Sequence, residues 1–94
     1  MVNTLEPFIT ENTVTFIVEP WNVILRNDNH HTLDEVILQL VKATRYAIKK
    51  AEKITWEAHS HGEVICYTGT KKRCRYVASV LEEIQLGVRV ERMF

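Results

Sequence analysis

The chain has 94 residues, 46% of them hydrophobic and 26% charged, which is ordinary usage for one globular domain with a single core. Lysine plus arginine (12) balance aspartate plus glutamate (12), so net charge gives no argument for nucleic acid or membrane as a partner. No apolar run is long enough to cross a bilayer. The two cysteines, Cys66 and Cys74, form neither a CxxC pair nor a disulfide framework, which points to reduced thiols.

Residues 1–12, MVNTLEPFITEN, lack the basic start and continuous apolar stretch of a signal peptide, and a cytoplasmic protein is expected. They read as a flexible arm ahead of a core domain over 13–94. Within TVTFIVEPWNVILRN, Pro20 separates a short strand near 14–18 from a firmer one near 21–26, in which Trp21, Val23 and Leu25 alternate inward. Thr32-Leu33-Asp34-Glu35 has the form of a capping box. Behind it Leu33, Val36, Ile37, Leu40 and Val41 recur at helical spacing, predicting a helix over about 33–43.

Thr44-Arg45-Tyr46 interrupts that pattern, and Ile48, Ala51, Ile54, Thr55 and Ala58 make a second apolar stripe, with Lys49, Lys50, Glu52, Lys53 and Glu57 outward. Gly62 is placed to end this helix in a left-handed conformation. A strand over 63–67 follows, then a helix near 71–85 marked by Val77, Val80, Leu81 and Ile84 and stopped by Gly87. VRVERM alternates as a last strand. Strands on one side and amphipathic helices on the other predict an α+β, two-layer domain of order β-α-α-β-α-β, with a small antiparallel sheet on three helices.

The stretch RNDNHHTLDE carries more polar side chains than a connector uses. Taken alone, Asn27 and Asp28 are also ordinary turn and capping residues, and His59 also fits a core histidine bonded to a carbonyl. The order of motifs adds to this. Asn27-Asp28 after VIL, an apolar helix, AHSHG closing a second helix and VIC in the next strand resemble the ClpS family, adaptors of the ATP-dependent Clp proteases. The resemblance runs from about Trp21 to Cys66 and loosens beyond it.

It implies an adaptor rather than an enzyme, with no cofactor. Such an adaptor binds N-degron proteins by their free α-amino group and bulky apolar first side chain. It then delivers them to a Clp AAA+ unfoldase of the ClpA or ClpC type. Asn27, Asp28 and His59 would hold the ammonium, whose three N–H donors need convergent acceptors. Leu33, Val36, Thr55, Ala58 and Leu86 would form the side-chain pocket, with Asn29 and His31 on its rim.

Several positions depart from the family pattern. Thr55 stands where a methionine is usual, Ala58 where valine is, Asn29 where aspartate is, and His31-Thr32 replaces Thr-Pro. These changes imply an altered specificity. TKKRCR places Lys71, Lys72, Arg73 and Arg75 where the family docks on its unfoldase partly through an acidic residue. Either the helix starts after these cations or the partner face is anionic.

Alternative readings are a metal site built from Asp28, His30, His31, His59 and His61, or a docking module without N-degron binding. A basic face with Tyr76 on RNA is a further one. Asp28 and His59 have no hydroxyl or thiol nucleophile set beside them by any motif, which argues against covalent catalysis.

Overall fold

The computed structural model describes residues 5–10, 13–18 and 20–94, with side chains from Pro20 onward. Leu5–Thr10 (β1) and Thr13–Val18 (β2) pair antiparallel as a two-stranded sheet of their own, in the register Leu5↔Val18 to Thr10↔Thr13. The strand expected near 14–18 is therefore β2. Its partner β1 falls inside the segment expected to be an arm. The rest of that segment, 1–4 and 11–12, lies outside the described residues.

The main sheet has the order β4-β3-β5, with Trp21–Arg26 (β3) in the centre, Glu63–Gly69 (β4) on one edge and Val88–Arg92 (β5) on the other. Both pairings are antiparallel. Leu33–Thr44 (α1), Ile48–His61 (α2) and Lys71–Glu82 (α3) complete the order β-α-α-β-α-β. Alternation along β3 works as the pattern predicts. Val23 and Leu25, at 0% and 1% exposure, face the core with Leu40, Val77 and Leu81. The other face carries Asn22, whose side-chain oxygen accepts from the Thr68 hydroxyl at 2.7 Å. The register passes from Val23↔Tyr67 to Ile24↔Ile65, leaving Cys66 as the extra residue of a bulge. Its carbonyl accepts from the Tyr46 hydroxyl at 2.8 Å.

The capping box forms. Thr32 Oγ1 accepts from the Glu35 amide at 3.1 Å, and Glu35 Oε1 accepts from the Thr32 amide at 2.8 Å. Helix α1 buries Val36, Ile37, Leu40 and Ala43 and stops at Arg45, which sits at φ 66° and donates its N–H to the Val41 carbonyl. On α2 the buried stripe is Ala51, Ile54, Thr55 and Ala58. Ile48, expected in that stripe, is instead 61% exposed, because the first turn projects beyond the edge of the core.

The helix expected to run to 85 ends at Glu82. The Val80 carbonyl, which the next helical turn would use, accepts from the Gln39 side chain at 2.6 Å and from the Glu83 amide at 3.1 Å. Gln85 then turns left-handed at φ 64°, two residues before Gly87. The last strand stops at Arg92, and the Met93 amide donates to the Pro20 carbonyl at 3.1 Å.

Gly62 is the glycine whose conformation matters. It lies at φ 91°, caps α2 by donating to the Ala58 carbonyl, and has no atom within 4 Å of where a Cβ would stand. Strain, not crowding, opposes a side chain there. Gly62→Ala should cost about 1–2 kcal/mol. Gly87→Ala, where a Cβ meets only ordinary contacts at 3.6 Å with Arg26, should stay within about 0.5 kcal/mol of wild type. Urea unfolding of both variants checks the contrast.

Candidate functional site

Two backbone bonds fix where the end of β3 delivers its polar run. The Arg26 amide donates to the Gly87 carbonyl at 2.9 Å, and the Asn27 amide to the Gly62 carbonyl at 2.8 Å. The second places Asn27 beside the end of α2, three residues past His59 in the chain.

Asp28 organises the loop that follows. Its Oδ1 accepts from the amides of His30 and His31, and its Oδ2 accepts from His31 Nδ1 at 2.6 Å. An ionised carboxylate can only accept, so the ring hydrogen sits on His31 Nδ1. Burial alone would push the Asp28 carboxyl up. The His30 amide, together with the His31 ring and amide, outweighs that effect and holds it below the usual carboxylate range. The side chains of His31 and Asp28 are 19% and 10% exposed, so the pair lies at the mouth of the interior.

Behind that pair is a narrow cavity of about 10 Å³, room for about one water. Leu25, Leu33, Val36 and Ala58 give it apolar walls, and Asn27, Asp28, His31 and Thr55 line it as well. The Thr55 hydroxyl donates back to the Ala51 carbonyl at 2.8 Å, so its hydrogen is satisfied within the helix. A carboxylate beside hydrocarbon walls matches a ligand that carries positive charge next to an apolar group.

Of the residues singled out in the sequence, Asn27, Asp28, His31, Leu33, Val36, Thr55 and Ala58 thus surround one cavity. Three others lie elsewhere. Leu86, 3% exposed, is part of the main core. Asn29 lines a neighbouring shallow groove with Arg26, His30 and Gly87. His59 is exposed on α2, edge-on to the Trp56 ring at 5.6 Å. Leu25 and Arg26 line the cavity without having been singled out. Their signal was available, since they directly precede Asn27 on an alternating strand.

The cations of the third helix fall within it, not before it. Thr70 caps α3 by accepting from the Arg73 amide at 3.1 Å, so Lys71, Lys72 and Arg73 occupy a first turn that has no acidic residue. The reading in which the helix starts later is thereby corrected. Lys71 sits over the Trp21 ring at 4.9 Å and Arg73 over Tyr76 at 5.3 Å, which partly offsets the opposition to the helix dipole.

No group of three metal-ligating side chains comes together among the described residues. His31 is held on Asp28, His59 meets Trp56, and His61 Nδ1 lies 3.2 Å from the Glu57 carbonyl. The thiols are buried, and burial pushes Cys66 up to about 12 and raises Cys74. Neither is poised as a nucleophile. No described helix is long and apolar enough to cross a membrane.

Comparison with known proteins adds the following. No curated protein matches the sequence. Among solved structures, the chain is similar to one described as Agrobacterium tumefaciens ClpS2 bound to L-phenylalaninamide. The TM-score is 0.74 at 16% identity, covering 79% of this chain and 96% of that one, a likeness of fold. The family model described as ATP-dependent Clp protease adaptor protein ClpS matches residues 18–89, which takes in β3, all three helices, β4 and the start of β5. With that span of the sequence matched and the fold agreeing, the chain belongs to the ClpS family of Clp protease adaptors.

Proposed function

We propose that the protein binds N-degron proteins through their free α-amino group and bulky apolar first side chain, and presents them to a Clp AAA+ unfoldase in the cytoplasm. One observation carries this reading. The Asp28 carboxylate and the Asn27 side chain border an apolar-walled cavity made by Leu33, Val36, Thr55 and Ala58, inside the matched family segment. L-phenylalaninamide, bound by the similar ClpS2 protein, has the same chemistry. It is a free amine next to an apolar side chain, with an amide where a peptide would continue. His59 completes the amine site if its exposed ring turns from Trp56 toward the ligand.

The cationic first turns of α3, with Lys71, Lys72, Arg73 and Arg75, support docking on an anionic face of the unfoldase. Whether that partner is of the ClpA or ClpC type follows from which one presents such a face. The arm before the core serves delivery rather than binding.

Three measurements test the proposal. Fluorescence anisotropy with peptides beginning in Leu or Phe should show binding that N-acetylation abolishes. Asp28→Ala should weaken it by about 2 kcal/mol or more, since a desolvated ammonium loses its charged acceptor. Undiminished binding of the acetylated peptide would sink the proposal.

The small side chains of Thr55 and Ala58 bring N-terminal Ile and Val within about tenfold of Leu, roughly 1.4 kcal/mol. Thr55→Met should remove Ile and Val binding while sparing Leu. If Ile stays more than about a hundredfold weaker in both proteins, a gap of roughly 2.7 kcal/mol, the pocket is not widened.

Removing residues 1–12 should leave peptide affinity unchanged and slow degradation of a Leu-tagged reporter by the unfoldase and its peptidase. Lost peptide affinity would assign the segment to the binding domain instead.

A further inference from the structure

The small residues of the site do not leave it open. Thr55 and Ala58 are 3% and 4% exposed, and the cavity they line holds about 10 Å³. Trp56, half exposed, and Leu86 are both absent from its lining. His31 is among the cavity-lining residues and donates from Nδ1 to Asp28 Oδ2. An N–H group of the protein itself therefore occupies the carboxylate oxygen that would meet a ligand's ammonium.

We propose that His31 is an internal competitor for the amine site, holding Asp28 in the free protein and leaving it when an α-ammonium group binds. The inference rests on the amine-binding reading above and deepens it by naming the residue that sets affinity. The ring has somewhere to go. On its other side His31 lines a groove of about 520 Å³ with Glu35, Leu38, Gln39, Glu83, Ile84 and Gln85. The site then has two arrangements. In one the imidazole covers the cavity and satisfies Asp28. In the other the ring lies in the α1 groove, and Asp28 and the apolar walls are exposed together. A ligand selects the second, so its apparent affinity falls in proportion to how rarely the free protein adopts it.

Competition of this kind depends on pH in a definite direction. A protonated imidazole binds a carboxylate more strongly than a neutral one, while the ligand's amine is charged in both cases, so protonation of the ring favours the internal pair over the ligand. The other charged and titratable groups around the pair are few. From β3 there is Arg26, which lines the cavity, and from the loop His30, whose amide already serves Asp28. From α1 there is Glu35, whose carboxylate accepts from the Thr32 amide. Past α3 comes Glu83, held by Lys42 at 2.8 Å. From α2 the cavity meets only Thr55 and Ala58, with His59 exposed nearby.

The test is anisotropy titration of a labelled peptide beginning in Leu against the full chain, at pH 7.5 and 5.5, for wild type, His31→Ala and His31→Gln. If the covered arrangement predominates by about ten to one, His31→Ala should bind about tenfold tighter than wild type at pH 5.5. It should also lose most of the pH dependence. His31→Gln keeps a neutral side chain of similar reach and should likewise flatten the pH profile. It carries the test alone should circular dichroism show that the alanine variant does not fold. Binding by the variants but not by wild type would also support the proposal.

Wild type that binds the peptide, with variants of equal or lower affinity and an unchanged pH profile, overturns the competitor while leaving the amine site standing. No binding by any of the three proteins at either pH overturns the amine site, and the competitor with it.

Discussion

The placement of the site depends on the two amides at the end of the central strand. Arg26 donates to Gly87 and Asn27 to Gly62, so one dipeptide ties β3 to the turn after α3 and to the turn after α2. Both partners are the backbone carbonyls of glycines. This fixes three chain segments at one corner of the sheet without help from any charged group. Only the second carbonyl requires a special conformation, the left-handed Gly62. The cavity lies beside that corner because Leu25 enters it from the strand, Leu33 and Val36 from the start of α1, and Thr55 and Ala58 from the last turns of α2.

Most of this frame was legible in the sequence, because it follows from periodicity and from caps with local partners. The inward alternation of β3, the Thr32–Glu35 box and the Gly62 terminus each involve residues at most a few positions apart. What was not legible depended on contacts over long separations or on single-residue torsions. The early end of α3 comes from Gln39, 41 residues away in the chain, taking the Val80 carbonyl. It comes also from Gln85, a residue without the usual left-handed preference, adopting φ 64°. Leu86 follows that turn and is buried in the core. The two-stranded pairing of β1 escaped notice because Pro7 and flanking polar residues hide its alternation.

The polar run at the site has more hydrogen-bonding capacity than a turn needs. Its chemistry is more economical. Asp28 already accepts from the His30 and His31 amides and the His31 ring, so the loop is self-consistent when nothing is bound. Ion pairs elsewhere have a different character. Arg89 grips Glu63 through two bonds of 2.9 and 3.1 Å across the exposed face of the sheet, and Lys42 meets Glu83 between α1 and the end of α3. Both are solvent-exposed, so each adds little to stability.

The open edge of β4 has a colloidal consequence. That strand pairs with β3 alone in the main sheet, and Ile65 on it is half exposed. With a net charge of zero the molecule has no overall repulsion to keep copies apart. Beside this edge, however, a groove of about 760 Å³ is lined by Lys49, Lys50 and Lys53, against the single carboxylate of Glu57, together with Tyr46 and Tyr67. Two copies joining edge to edge would bring six lysines into one seam, because each contributes three. The repulsion is local, and it acts over about 8 Å at physiological ionic strength. Added salt shortens that range, so the repulsion across such a seam weakens as the screening length shrinks.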